Sequence, residues 1–383
     1  MAHVLRSWQR NALERWKENS HRGIVSVVTG GGKTVFALAC IAAARPRTSL
    51  ILVPTQSLLD QWWDESASFF GLDLDEINIL SSRSRMRSGT INIAVLNSAA
   101  SLVADGRAVE CMLIVDECHK AASPVFRQAL TVPAVATLGL SATPERQYDQ
   151  GLSEVLIPAL GPIIFEYSYR QALADGVVVP FRLSNVVFEL EPERQAEYDK
   201  LTKRIARAIN DVGIEDNDTI ALMLKRARIL NLSLNRVRLA LQLVAKNRGQ
   251  RTIVFHEDIQ ACNLIGAALT ENGISSTVYH SGLKLRERVK ALASFRSGEA
   301  EVLVTCRALD EGFNVPEAEV GIIAASTATR RQRIQRLGRV LRPAKGKPRA
   351  TVYTLVATAP EIERLQSEEK ELEGVAEVVW RRG

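Results

Sequence analysis

Short apolar runs recur along the chain, and each gives way to a segment whose apolar residues return every third or fourth position. The runs are Ile24–Val28, Ser49–Val53, Ile91–Val95, Met112–Val115 and Ala136–Leu140. A second series resumes with Thr252–Phe255, Ser276–Tyr279, Glu301–Val304, Val320–Ala324 and Thr351–Val356. The runs predict strands, and the stretches between them, such as Gln56 to Phe70, predict helices. Alternation of this kind predicts parallel sheets flanked by helices. The chain therefore reads as two α/β units of similar architecture without obvious sequence repetition.

Between the two series, Phe165 to about Leu190 reads as a connector that includes Asp175-Gly176 and Val179-Pro180. A helical stretch follows from Glu191 to Arg248, broken by an acidic turn around Asp211 to Asp218. Its second half has apolar residues at helical intervals (Leu222, Ile229, Leu232, Leu239, Leu243) and a basic face of Lys225, Arg226, Arg228, Arg236, Arg238 and Lys246. That face is either a solvated helix surface or a contact for nucleic acid. Pro360 to Arg382 reads as an amphipathic helix that packs on the second unit. The boundaries expected are 1–165 and 249–360 for the two units, 166–190 for a linker, 191–248 for a helical insertion and 361–383 for the terminal helix.

Composition narrows the class. A length of 383 residues suits two domains, and 46% hydrophobic with 24% charged residues is the balance of a soluble globular protein. No apolar run approaches the roughly 18 residues that span a bilayer. The opening Met-Ala-His-Val-Leu-Arg-Ser-Trp lacks the apolar core of a signal peptide, so a cytoplasmic location is expected. Five dispersed cysteines without a Cys-x-x-Cys pair argue against a disulfide framework, a zinc site or an iron–sulfur cluster. A net charge of +6 and a pI near 9.1 favour a polyanionic partner. Aromatics are only 5% of residues, so recognition by base stacking is minor and contact with the backbone is expected to dominate.

The chemistry is concentrated in two segments. Ser26-Val27-Val28-Thr29-Gly30-Gly31-Gly32-Lys33-Thr34 lies between a strand and a helix-forming run from Val35 to Ala44. Backbone N–H groups of such a glycine run surround a phosphate, Lys33 reaches the terminal phosphates, and the Thr34 hydroxyl suits Mg²⁺. Val27 stands where the full phosphate-loop pattern has its first glycine. About eighty residues on, Val115-Asp116-Glu117-Cys118-His119 delivers two carboxylates at a strand end, which suits Mg²⁺ binding and activation of a water. Either segment alone is compatible with an ordinary loop or a solvated strand edge. Together, in this order and context, they describe a site that hydrolyses a nucleoside triphosphate.

Other short motifs fall in order around them. Leu5-Arg6-Ser7-Trp8-Gln9 precedes the glycine run, and Ser141-Ala142-Thr143-Pro144 follows the strand Ala136–Leu140. The second unit carries Tyr279-His280-Ser281-Gly282, then Asp310-Glu311-Gly312-Phe313-Asn314-Val315-Pro316, and Gln335-Arg336-Leu337-Gly338-Arg339-Val340-Leu341-Arg342. As an ordered set this resembles the superfamily 2 helicases and translocases, specifically the DExH branch. Within it the chain looks most similar to XPB-like proteins and restriction-enzyme motor subunits. The features that point there are its Glu-Gly-x-Asn-x-Pro segment and its Gly-Arg-x-x-Arg-Pro ending.

The resemblance implies two tandem RecA-like parallel-sheet domains of the P-loop NTPase kind, with a helical insertion, ATP in the cleft between them and a nucleic acid strand across both. Position by position, Arg6 and Gln9 would recognise adenine, Gly30, Gly31, Gly32, Lys33 and Thr34 would hold the phosphates, and Thr34 and Asp116 would hold Mg²⁺. Glu117 would orient or deprotonate the attacking water, while His119, Ser141 and Thr143 would couple nucleotide state to domain motion. Gln335, Arg339 and Arg342 would face the γ-phosphate, with Arg342 as arginine finger; Gly312 and Asn314 join the nucleotide contacts, Asn314 where many relatives carry Asp. Pro54, Thr55, Gln56, Asn97, Ser98, His256, Thr305 and Arg307 are expected just beyond strand ends, where backbone amides and hydroxyls meet phosphates. His256 and His280 are equally compatible with hydrogen-bonded loop histidines.

The function expected is an ATP-dependent DNA helicase or double-strand translocase, serving repair, restriction or defence. An RNA helicase, or a nucleic-acid-binding nucleotide switch without turnover, are the alternatives. A protein partner supplying target choice or strand separation is also expected.

Overall fold

The computed structural model describes residues 4–81, 83–145, 150–306, 318–325, 349–369, 372 and 375–383. Of the candidate site residues, Arg307, Gly312, Asn314, Gln335, Arg339 and Arg342 lie outside that set. The chain divides into two compact units, the first running to Asp175 and the second beginning at Gly176.

Seven strands build the first unit: β1 (Arg22–Val27), β2 (Ser49–Val53), β3 (Asn78–Leu80), β4 (Ile91–Val95), β5 (Cys111–Asp116), β6 (Ala134–Ser141) and β7 (Ile163–Tyr167). Their order across the sheet is β3-β4-β2-β5-β6-β1-β7, and every pairing is parallel. The helices are α1 (Ser7–Glu18), α2 (Lys33–Ala44), α3 (Gln56–Phe70), α4 (Leu96–Ala104), α5 (Ile157–Leu160) and α6 (Tyr169–Ala174). Parallel strands need crossover connections, and those helices cover both faces. Every residue of β2 and β5 is accordingly buried. Leu50, Leu52, Leu113 and Val115 pack on one face against Leu96, Ala99 and Leu102 of α4. Because all strands run the same way, every carboxyl end lies on one edge, the edge where open α/β sheets bind ligands.

The second unit repeats the design with β8 (Phe181–Val187), β9 (Thr252–His256), β10 (Ser276–Tyr279), β11 (Val302–Cys306), β12 (Val320–Ile323), β13 (Ala350–Val356) and β14 (Ala376–Arg382). These are ordered β10-β11-β9-β12-β13-β8-β14, again all parallel. Its helices are α7 (Pro192–Val212), α8 (Asn217–Asn231), α9 (Leu234–Lys246), α10 (Ile259–Glu271), α11 (Leu285–Ser297) and α12 (Ala359–Glu369). The acidic break between α7 and α8 has a local cause. Gly213 ends α7, and the Asp216 carboxylate accepts the Thr219 N–H to cap α8.

Two expectations need revision. The segment expected as a linker over 166–190 is structured: it holds the end of β7, then α6 and β8. Expected as one helix, 361–383 instead continues α12 and then forms β14, which pairs along the whole of β8. The run Val378-Val379-Trp380 is β-branched and aromatic, a composition that fits a pleated surface better than a helix.

The basic face expected across 225–246 is mostly exposed, with Arg236 as the internal exception. Arg236 is fully buried, with guanidinium N–H groups donated to the Ala324 carbonyl at 2.7 Å, the Leu355 carbonyl at 3.2 Å and Glu361 Oε1 at 3.3 Å. The guanidinium also lies over the Phe188 ring. Arg226 covers the Tyr198 ring, Lys225 pairs with Glu197, and Arg228 donates to Gln260. Lys225, Arg228, Arg238 and Lys246 are exposed.

Among the described residues no helix is long and apolar enough to cross a membrane. All five cysteines are buried, and none of them is joined in a disulfide among the described residues. No group of three or more His, Cys, Asp or Glu side chains among the described residues forms a metal cage.

Candidate nucleotide-binding site

At the carboxyl edge of the first sheet, β5, β6 and β1 are consecutive neighbours. The chain leaves β1 into the glycine run, β5 ends on Asp116, and β6 ends on Ser141. Segments far apart in sequence are thereby brought to one place.

The glycine run is shaped by its residue type. Gly30 has φ 84° and Gly32, the residue before α2, has φ 98°, a left-handed backbone that suits glycine. A Cβ on Gly31 would lie 2.5 Å from Val27 Cγ1 and 3.0 Å from the Val28 carbonyl. Val27 thus fills the space behind the loop, at the position where the common pattern has glycine. The N–H groups in the first turn of α2 have no intrahelical acceptors and carry the positive end of the helix dipole. Carbonyls that would repel an anion are spent on α1. The Gly31 carbonyl accepts the Trp8 indole at 3.2 Å and an Arg6 guanidinium N–H at 3.3 Å, and the Gly32 carbonyl accepts the Gln9 amide at 3.0 Å. Gln9 Oε1 in turn accepts the Arg6 backbone N–H at 2.8 Å. In this structure Arg6 and Gln9 therefore hold the loop itself.

Lys33, at the head of α2, donates to Glu117 Oε1 at 2.7 Å, and the two side chains are only 13% and 15% exposed. Asp116 sits beside them. Its Oδ1 accepts the Glu117 N–H at 2.9 Å, and its Oδ2 accepts the Trp62 indole N–H at 2.9 Å. Burial would lower the Lys33 pKa, but the neighbouring Glu117 and Asp116 carboxylates hold it above the usual value. Burial would raise Glu117, but Lys33 and then His119 outweigh it and bring the carboxyl down to about 2. Asp116 is pushed up by burial, with Lys33 opposing. One ammonium thus faces two buried carboxylates, an arrangement that a polyphosphate and a divalent cation would complete.

From Glu117, at φ 47° just past β5, contacts run to the end of β6. His119 Nδ1 lies 3.5 Å from Glu117 Oε2 and 3.0 Å from Ser141 Oγ, and Ser141 Oγ accepts the Thr143 N–H at 3.1 Å. The three residues expected to couple states are brought together as one chain of contacts.

Two tryptophans belong to this site without having been assigned a role from sequence. Trp62 braces Asp116, and Trp8 holds Gly31. A signal existed for Trp62: with Leu58, Leu59 and Ser66 it forms the inward stripe of α3, and a buried indole N–H needs an acceptor.

Candidate contacts for nucleic acid fall into two groups. Pro54 and Thr55 follow β2, Gln56 opens α3, and Asn97 and Ser98 lie in the first turn of α4 after β4. β2 and β4 are neighbours, and these residues share the edge that carries the glycine run. Gln56 and Asn97 are exposed, while the Thr55 hydroxyl caps α3 by accepting the Leu58 N–H. In the second unit, His256 and Thr305 lie inside β9 and β11 and are buried, where loop positions were expected. His256 Nδ1 accepts the Asp258 N–H at 3.0 Å, and Thr305 Oγ1 is buried without a hydrogen bond among the described residues. His280 bonds Asn263 at 3.1 Å, as a loop histidine would.

Comparison with known proteins extends the picture. Residues 2–146 match the family "Type III restriction enzyme, res subunit", and residues 235–344 match "Helicase conserved C-terminal domain". The chain is 28% identical over 358 residues to the DNA 3'-5' translocase XPB2 of Sulfurisphaera tokodaii, covering 88% of this chain and 78% of the relative. It is 28% identical over 362 residues to the DNA 3'-5' helicase XPB of Kineococcus radiotolerans, covering 92% of this chain and 60% of that relative. Among solved structures, the Pyrococcus furiosus Hef helicase domain superposes with a TM-score of 0.60 at 18% identity, covering 96% of this chain and 98% of that one. Two RecA-like sheets, a res-subunit match over the first and a helicase C-terminal match within the second make this chain similar to the superfamily 2 helicases, XPB-like proteins among them.

Proposed function

We propose that this protein is an ATP-driven motor on DNA, a helicase or double-strand translocase that moves with 3'-to-5' polarity. One observation carries the enzymatic part: Lys33, Asp116 and Glu117 converge at the head of α2, beside a glycine loop and first-turn N–H groups that have no intrahelical acceptors. DNA as track, and the polarity, are supported by the relatives named as DNA 3'-5' translocase and helicase.

In this reading the loop N–H groups and Lys33 take the phosphates of ATP. Lys33 is bound to Glu117 in the structure, so ATP must draw the ammonium away before Glu117 is free to orient a water. The Lys33–Glu117 pair thus keeps the water-orienting carboxylate engaged until substrate arrives. Residues present fit Mg²⁺: the buried Asp116 carboxylate and the Thr34 hydroxyl are oxygen donors at the head of α2 and would hold it. When bound, it would neutralise charge on the phosphates. Arg6 and Gln9 would serve adenine, with Gly312 and Asn314 as further nucleotide contacts. Gln335, Arg339 and Arg342 would stabilise charge developing on the γ-phosphate. His119, Ser141 and Thr143 would pass the loss of that phosphate to the end of β6.

Pro54, Thr55, Gln56, Asn97, Ser98, His256, Thr305 and Arg307 would meet the track's phosphates, making affinity salt-dependent and sequence-tolerant. Target choice, or strand separation itself, would come from a partner protein. Displacement of labelled strands from duplexes bearing a 3' or a 5' single-stranded tail, and of a third strand from a triplex, tests the reading. ATP-dependent displacement from the 3'-tailed duplex or the triplex is expected. Displacement from 5'-tailed duplexes alone, or from none of these, contradicts it.

A further inference from the structure

We propose that Trp62 is the positioning residue for the Asp116 carboxylate and ties it to the start of α3. The inference rests on the reading of Asp116 as a Mg²⁺ ligand. Trp62 has no exposed surface, and its indole N–H is directed at Asp116 Oδ2, 2.9 Å away. Two other buried tryptophans of the same unit donate to backbone carbonyls, Trp8 to Gly31 and Trp16 to Thr137. Trp62 alone of these three donates to a carboxylate, and that carboxylate belongs to the site.

Each Asp116 oxygen receives one neutral donor, Oδ2 from the indole and Oδ1 from the Glu117 backbone. Held from both sides, the carboxylate plane cannot rotate without breaking one bond. Each oxygen has a second lone pair left for a cation. A neutral donor suits this place: it orients the ligand without contributing a charge that would repel a cation. Groups that orient a metal's ligands typically carry about 10–100-fold of its affinity.

Location gives Trp62 a second consequence. It lies seven residues beyond Thr55, the cap of α3, which is two helical turns or about 10 Å. The first two turns of α3 therefore connect Thr55 and Gln56, proposed phosphate contacts, with the metal-holding carboxylate through one rigid element. A track that displaces the start of α3 would move the indole against Asp116, so DNA and Mg²⁺ would bias each other's binding.

The test replaces Trp62 in the full chain by β-(3-benzothienyl)alanine, which keeps the ring shape and exchanges N–H for sulfur. Trp62→Phe serves as a second variant that also loses the N–H. Binding of a fluorescent ATP analogue is titrated with Mg²⁺, with and without duplex DNA, and thermal unfolding is followed in parallel. Both variants should unfold cooperatively and need about 10-fold more Mg²⁺ for half-saturation. Nucleotide affinity without metal should be unchanged. DNA should shift the Mg²⁺ curve of the parent and not that of the variants. An unshifted Mg²⁺ curve in the folded variants overturns the positioning role, and an equal DNA-induced shift in parent and variants overturns the link to α3. Absence of Mg²⁺-dependent nucleotide binding in the parent overturns the nucleotide-site reading itself, and Trp62's role with it.

Discussion

Glu117→Gln should lower ATP hydrolysis by about 10²–10⁴-fold, the usual worth of a general base. ATP binding should survive and tighten. In the structure Lys33 is held by Glu117 at 2.7 Å, and ATP would compete with that carboxylate for the ammonium. Gln keeps the shape and removes the charge, so the competition weakens. Fluorescent-nucleotide binding alongside single-turnover hydrolysis separates the two effects. Normal turnover by Glu117→Gln would show that the water is activated elsewhere. Weaker binding would show that the pair does not oppose ATP.

Arg342→Ala should cost more, about 10³–10⁵-fold in turnover, which is the range for a finger arginine. ATP affinity should change little, because the finger acts on charge that develops during phosphoryl transfer. Arg342→Lys should recover only a small part of the loss, since an ammonium is a point charge without the planar fork of a guanidinium. Arg339→Ala is the internal comparison. A larger loss there than at Arg342 would assign the finger to Arg339. Steady-state kcat and KM measured with saturating DNA distinguish these outcomes.

Much of the fold was legible because parallel strands buried on both faces must be continuously apolar. Ser49–Val53, Ile91–Val95 and Ser276–Tyr279 were bounded in the sequence as they stand in the structure. The strands that escaped are β3, β7, β8 and β14. β3, β7 and β14 terminate their sheets, where half-exposed positions dilute the apolar signal. β8 is different: it is interior, but Arg182, Ser184 and Asn185 interrupt its apolar run, and Ser184 and Asn185 are buried all the same. Its neighbour β13 follows it by more than 160 residues, a pairing that no local pattern announces.

The site divides in a similar way. Lys33, Asp116, Glu117, His119, Ser141 and Thr143 were singled out because each belongs to a short motif at a strand end, and the strand order brings them together. Trp62 was harder, since a tryptophan on an inward helical face reads as core until its N–H partner is known. Arg236 went the other way. Spacing put it on a basic surface, whereas two carbonyls, a glutamate and a phenylalanine ring enclose it. Buried arginines are rare enough that surface is the natural expectation, and only the acceptors contributed by distant strands reverse it.

The most direct measurement is the rate of ATP hydrolysis by the full chain in Mg²⁺. It is taken without polymer and with single-stranded, double-stranded or forked DNA or RNA, at matched salt. A rate raised by DNA and not by RNA is the expected result. Hydrolysis indifferent to every polymer, stimulated by RNA alone, or absent with DNA bound would contradict a DNA motor built on the Lys33–Asp116–Glu117 site.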